Sequence, residues 1–330
     1  MSETRNFLYL SETALAGLGI TTKEAVDAIE HLIRGQGEGE GEGGSDGTVW
    51  SAPKAVVQPP DGRYLMATLA AADEPPLMAV KALLVNPANP GRGLKQINAM
   101  VMLLDSGTGL PRAVMDGNWI TAVRTAALSA VAAKRLARPD THLAAFIGCG
   151  VQAESHLRAF AELYPLREIR AFGRGRTNID ALCRTAEGLG LAAAASATAR
   201  DAVTDADLIV TSITMTAPVD LFLDAGWLKP GAFAAVTDLA VPWIKDSLPK
   251  FDRIVIDDME QEASMPNKLA PADLIAGDLS QLVRGGIDGR TSDEERTAFI
   301  FRAHPLGDLA LAALAYQKAT DDGRGKTIET

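Results

Sequence analysis

The spacing of apolar and polar residues changes character along this chain and divides it into segments. From Ser11 to Arg34 the spacing is helical, with Ala25, Ile29, Leu32 and Ile33 on one face and Thr21-Thr22-Lys23-Glu24 as the helix start. A glycine and glutamate repeat from Gly35 to Gly44 follows; it cannot bury apolar area and predicts a mobile surface loop. Between Thr48 and Leu104 short apolar runs alternate with turn signals. Ala55 to Val57, Tyr64 to Ala67, Met78 to Val85 and Ile97 to Leu104 read as strands, broken at Pro59-Pro60-Asp61-Gly62, Pro87 to Gly91 and Asp105 to Gly109. This predicts an antiparallel sheet. Asp116 to Ala127 then leads into a long alanine-rich helix ending near Arg135.

Beyond Arg138-Pro139-Asp140 strands and helices alternate, which implies a parallel, doubly wound sheet. Its strands are Leu143 to Ile147, Glu168 to Phe172, Asp207 to Ile213, Ala232 to Val236 and Ile254 to Asp258. The fold class is therefore α/β: a Rossmann-type domain at 138–302, and an α+β domain at 1–137 completed by a returning C-terminal helix within 303–330. The tail from Asp321 to Thr330 is polar and expected to fray.

The first strand, turn and helix of the second domain carry the most specific local signal. Leu143 to Ile147 runs into Gly148-Cys149-Gly150-Val151-Gln152-Ala153, a G-x-G-x-x-A turn in the order a dinucleotide requires. Gly148 permits the tight turn, Gly150 lets the backbone approach a pyrophosphate, and Ala153 is small enough to hold the helix against the sheet. The helix N-terminus offers N–H groups to phosphate. After the second strand no acid stands ready for the ribose hydroxyls; Gly173-Arg174-Gly175-Arg176-Thr177 offers two guanidinium groups instead. NADP(H) is thereby favoured and NAD(H) remains possible. Thr211, Ser212 and Ile213 close a strand where parallel sheets present ligand contacts.

Composition narrows the partners. The chain has 330 residues, 47% hydrophobic and 22% charged, which suits two globular domains. Its net charge of −10 argues against nucleic acid or an anionic membrane as partner, so any anionic ligand needs a local positive cluster. No stretch resembles a signal peptide or a membrane span, so the cytoplasm is the default. The two cysteines, Cys149 and Cys183, show neither metal-like nor disulfide-framework spacing, and no metal is expected. Two cations invite chemistry. Lys81 interrupts an apolar strand, where it needs an anion or a cleft, and Arg124 lies near a helix start among small residues, where the dipole would favour anions beside it.

These stretches resemble the ornithine cyclodeaminase/μ-crystallin family. The resemblance rests on Val80-Lys81 with Asn86-Pro87 and Asn89, Leu104-Asp105 to Gly109, Met115-Asp116-Gly117, Thr121 to Ala127, Ile147 to Ala153, and the Gly307-Asp308 helix. It implies a homodimer whose first domain supplies the interface and the substrate pocket, with nicotinamide held between the domains. It also implies an NAD(P)H-dependent reductase of small 2-imino acids giving L-amino acids, with a cyclodeaminase-type lyase as the alternative. Fold alone does not prove chemistry, so a non-catalytic cofactor-binding protein is a third reading. On the family's pattern Lys81 and Arg124, with Lys54, bind the substrate carboxylate, Arg124, Thr125 and Asp238 also adjoin the cofactor, and Lys81 and Asp238 are the catalytic residues. Lys54 stands after Pro53 where the family usually has arginine, and a lysine cannot make arginine's bidentate fork.

Overall fold

The computed structural model describes residues 6–37, 48–214 and 219–329, and its contacts divide the chain into two units: Met1–Arg124 with Pro305–Thr330, and Thr125–His304. Residues 38–47, the greater part of the expected mobile loop, lie outside the described residues.

In the first unit the predicted N-terminal helix is two, α1 (Glu12–Ala16) and α2 (Thr22–Gly35). Thr21 caps α2 reciprocally: its hydroxyl accepts from the Glu24 N–H while the Glu24 carboxylate accepts from the Thr21 N–H at 2.8 Å. A seven-stranded sheet follows. Strands β2 (Val49–Val57), β3 (Tyr64–Asp73), β4 (Pro76–Val85), β5 (Ile97–Asp105) and β6 (Pro111–Asp116) form an antiparallel meander. Beyond β6 lies β1 (Asn6–Leu10), in parallel, and then β15 (Lys326–Glu329), antiparallel to β1. The tail expected to fray is thus partly a strand. Its backbone pairs Asn6 with Glu329 and Phe7 with Ile328, a contact that side-chain polarity does not forbid at a sheet edge.

Helix α9 (Pro305–Asp321) packs on the inner face of this sheet against β2 to β5. The outer face is apolar too. Leu65, Ala67, Leu69 and Ala71 on β3 lie beside Leu84, Ala82, Val80 and Met78 on β4, and those beside Asn98, Met100, Met102 and Leu104 on β5. Period-2 alternation therefore separates two apolar faces rather than an apolar from a polar one, and Leu69 on the outer face stays 47% exposed. From β6 the chain turns at Gly117 into α3 (Gly117–Leu136). A Cβ there would lie 2.5 Å from the Ala99 carbonyl carbon, so the turn accepts only glycine.

The division between units falls inside α3, between Arg124 and Thr125, ahead of the junction expected near residue 138. The later part of α3 bonds within the second unit: Ser129 with His156 at 2.9 Å, and the Leu136 carbonyl accepting from Thr297 and Arg290. That unit is a wholly parallel eight-stranded sheet. Its strands are β7 (Leu143–Ile147), β8 (Glu168–Phe172), β9 (Ala192–Ala195), β10 (Leu208–Thr211), β11 (Phe233–Val236), β12 (Arg253–Ile256), β13 (Ile275–Asp278) and β14 (Thr297–Ile300). The order β13-β12-β14-β11-β10-β7-β8-β9 reverses direction between β7 and β10, the switch point where such sheets open a crevice at their carboxyl ends. Helices α4 (Val151–Leu163), α5 (Arg176–Gly188), α6 (Ala199–Val203), α7 (Met259–Ser264) and α8 (Leu279–Arg284) connect the strands. A core around Ile147, Ile209, Val236, Trp243 and Ile300 fills the sheet, and the central strands β7, β10, β11 and β14 are buried along their whole length, hence their largely apolar sequences.

Candidate functional site

In the first unit Lys81 and Arg124 converge on one carboxylate that sequence reasoning did not single out as functional, Asp308 on α9. Lys81 Nζ donates to Asp308 Oδ1 at 2.8 Å, and Thr68 Oγ1 donates to Oδ2 at 2.9 Å. Arg124 Nε lies 3.1 Å from the same Oδ1, close enough for an ion pair though not aligned as a hydrogen bond. All four side chains are buried, Lys81 completely. The sheet register explains the grouping: Thr68 on β3 faces Lys81 on β4, and a bulge sets Pro53 and Lys54 of β2 opposite Thr68. Lys54 is half-buried, and its charge reaches Lys81.

The electrostatics leave this cluster positive. Burial, then Arg124 and Lys54, push the Lys81 ammonium down to about 8 against the opposing pull of Asp308. Burial alone would raise the Asp308 carboxyl, but Lys81 and Arg124 together hold it below the ordinary carboxylate range. Arg124 Nη1 is buried and unpartnered among the described residues. So are Asn118 Oδ1 and Thr121 Oγ1, each three residues along α3, which puts them on the face that carries Arg124. Such groups are kept where something else satisfies them, and a guanidinium edge suits a carboxylate. Arg124 lies about two turns inside α3, past the reach of the helix dipole, so the expected dipole contribution is absent and side-chain charge governs its surroundings.

In the second unit the glycine turn has the geometry a pyrophosphate needs. Gly148 takes φ +91°, and a Cβ there would meet the Ser212 carbonyl oxygen at 2.6 Å, because β7 and β10 run side by side. A Cβ on Gly150 would meet nothing within 4 Å. Gly150 is the N-cap of α4 and provides no side-chain cap, so the first N–H groups of that helix are open to an anion. Val151 is 70% exposed beside them, Ala153 is buried against the sheet, and Gln152 Oε1 is buried without a partner among the described residues. Burial pushes the Cys149 thiol up to about 12, which fits a structural residue. After β8, Arg174, Arg176 and Thr177 are exposed; Arg176 pairs with Asp180 at 2.9 Å, and Arg174 is the less engaged of the two arginines. Thr125, expected at the cofactor, is buried where the second unit begins. These residues fit a dinucleotide.

Asp238 anchors a separate group in this unit. Its Oδ1 accepts from Thr211 Oγ1 at 2.9 Å and its Oδ2 from the Ile213 N–H at 3.1 Å, while Ser212 Oγ donates to the Gly148 carbonyl. Burial pushes its carboxyl up to about 6 despite those two bonds. Leu239 and Ala240 follow with φ of 58° and 54°, a left-handed pair that non-glycine residues adopt at a cost of about 1–3 kcal/mol each. Strain of that kind collects at functional loops.

A wholly parallel sheet with a glycine turn at its switch point defines a Rossmann-type dinucleotide-binding protein. The chain belongs to the ornithine cyclodeaminase/mu-crystallin family, whose model matches residues 17–323. The ketimine reductase mu-crystallin of Mus musculus is 34% identical over 225 residues, 66% of this chain and 68% of that one. Among solved structures, the Thermococcus litoralis Delta(1)-pyrroline-2-carboxylate reductase in complex with NADH and L-proline is similar at a TM-score of 0.86 and 25% identity, covering 98% of this chain and all of that one. An archaeal alanine dehydrogenase dimer with bound NAD is similar at 0.84 and 26%, covering 98% of this chain and 99% of that one.

Proposed function

We propose that this protein is an NAD(P)H-dependent reductase of small 2-imino acids. The observation that carries the reading is the pair of buried cations, Lys81 and Arg124, which share one internal carboxylate and leave a guanidinium edge unmatched. A carboxylate on the substrate completes that edge, with Lys54 adding charge nearby. A bound nicotinamide supplies a hydride. Lys81 and Arg124 fix the substrate through its carboxylate, so that the imine carbon is held in one orientation for reduction. The imine nitrogen takes up one proton as the C=N bond becomes CH–NH. Asp238 is suited to hold that proton, since its carboxyl titrates at about 6. The resemblance to proteins named as ketimine and pyrroline-2-carboxylate reductases supports this class over a cofactor-binding protein without chemistry.

For the cofactor we infer NADP(H), because Gly173 rather than an acid follows β8, with Arg174 and Arg176 beyond it, although both solved neighbours named above hold NAD(H). For the assembly we infer a homodimer that buries the outer face of β2 to β5. This face is apolar from Leu65 to Ala71 on β3, Met78 to Leu84 on β4 and Met100 to Leu104 on β5, with Asp73 the charged residue at the end of β3; an apolar face of this length favours a partner, and the similar alanine dehydrogenase is a dimer.

The test is purified protein with NADPH or NADH and a panel of cyclic and acyclic 2-imino acids, run beside an assay for ammonia release from ornithine. Consumption of NAD(P)H that depends on the imine is expected. Ammonia release from ornithine without added cofactor, and no turnover of any imine, would instead assign a cyclodeaminase-type lyase.

A further inference from the structure

Asp308 occupies an unusual place for a carboxylate: it sits among the cations that, on the reading above, serve a substrate carboxylate. Lys81 approaches from β4, Arg124 from α3 and the Thr68 hydroxyl from β3, with Lys54 of β2 acting on Lys81 from nearby. Of the charged groups that act on Lys81 here, Arg124 and Lys54 are cationic and Asp308 is anionic. Its two oxygens divide their duties. Oδ1 takes both Lys81 and Arg124, while Oδ2 is held by Thr68, so the carboxylate cannot rotate to favour one cation.

We propose that Asp308 is the positioning residue of the carboxylate site: a resident anion that aligns Lys81 with Arg124 and keeps Lys81 protonated while the site is empty. The proposal rests on the assignment of these cations to a substrate carboxylate. Its physical basis is the cost of clustered like charge in a buried place. Lys81, Arg124 and Lys54 repel one another, and burial removes the water that would separate them. Lys81 is the member able to shed a proton, because arginine does not. Without Asp308 its ammonium would be neutralised at physiological pH, and a neutral amine cannot hold a carboxylate. Thr68 is part of the same device, since its hydroxyl fixes the rotamer of Asp308.

In the wild type the Lys81 ammonium is present below about 8 and is lost as pH rises through that value, so carboxylate binding weakens above it. Removing an opposite charge at this distance moves a titration by about 1–3 pH units. Asp308→Asn, nearly the same shape, is therefore expected to carry the loss of binding to lower pH by that interval. A purely structural role would weaken binding equally at every pH.

The experiment measures binding of pyrrole-2-carboxylate, which has a carboxylate and no reducible imine, to cofactor-saturated protein by calorimetry from pH 5.5 to 9.5. Expected are a wild-type midpoint near 8, a lower midpoint for Asp308→Asn, and recovery of most of its affinity on acidification. Asp308→Glu keeps the charge on a longer arm and is expected to retain the wild-type midpoint with weaker binding. It carries the test if the asparagine variant does not fold, and binding by Asp308→Glu identical to wild type would then overturn the proposal. An Asp308→Asn variant with an unmoved midpoint, or with a pH-independent loss, would overturn it too. Wild-type protein that binds no probe at any pH would instead remove the carboxylate reading itself, and the role of Asp308 with it.

Discussion

The two units prepare for their ligands by opposite means. Around Asp308 the first unit concentrates buried charged side chains, so affinity there is a matter of which atoms are charged. At the glycine turn the second unit offers backbone N–H groups, a helix terminus and empty space, so affinity is a matter of which atoms are absent. The first should be sensitive to pH and to charge-neutral substitutions, the second to added volume.

The strongest way to break this contrast is at Gly148. Gly148→Ala adds one carbon that would stand 2.6 Å from the Ser212 carbonyl oxygen at a φ of +91°. The left-handed backbone alone costs about 1–3 kcal/mol, and the clash with the neighbouring strand adds to it. Loss of measurable NAD(P)H binding by fluorescence titration is expected, whereas Gly150→Ala, which meets nothing within 4 Å in the protein, should leave the fold intact and weaken only cofactor binding. Equal effects at both positions would show that space is not the governing variable.

Next in size is Lys81→Ala, which leaves Asp308 buried with one partner fewer. Breaking a buried pair costs about 3–5 kcal/mol, so thermal stability should fall along with activity. In the same unit the exposed pair Lys95 and Glu12, 2.8 Å apart, should contribute less than about 1 kcal/mol, and Lys95→Ala should pass unnoticed in a melting curve. Chemical denaturation of the two variants checks both figures.

The smallest effect concerns cofactor choice. Arg174→Ala with Arg176→Ala should weaken NADPH binding by about 10-fold or more while NADH binding barely changes, as a charge-assisted contact of about 1.5–3 kcal/mol is lost. Most of the loss should come from Arg174, because Arg176 is already engaged by Asp180. The defect should shrink in high salt, where the wild-type contact is screened. A double variant that loses both cofactors equally would mark these arginines as supports of the fold.

The second unit was more legible in the sequence than the first, for a physical reason. A dinucleotide turn is a local device, with strand, glycines and helix contiguous from Leu143 to Leu163, so neighbouring residues carry the whole signal. The cluster around Asp308 is assembled by contacts between residues 227 and 240 apart, and no local periodicity reports such a pairing. Lys81 could be noticed as a cation in an apolar strand, but its partner on α9 could not be read from spacing. Strand β9 escaped notice because Ala192 to Ala195 is a run of alanine with no β-branched residue, and β15 because its residues are polar. The bulge at Pro53 and Lys54 is visible only in the register of β2 on β3.

The proposed reaction is hydride transfer to a substrate whose carboxylate Lys81 and Arg124 hold. The most direct measurement is reduction of a cyclic 2-imino acid with NADPH or NADH carrying deuterium at the transferable position of C4, followed by mass and NMR analysis of the product. One deuterium on the α-carbon of the amino acid and none elsewhere is expected, with the reaction lost in Lys81→Ala protein that still binds the cofactor. Product without deuterium, or full transfer by the Lys81→Ala variant, would contradict it.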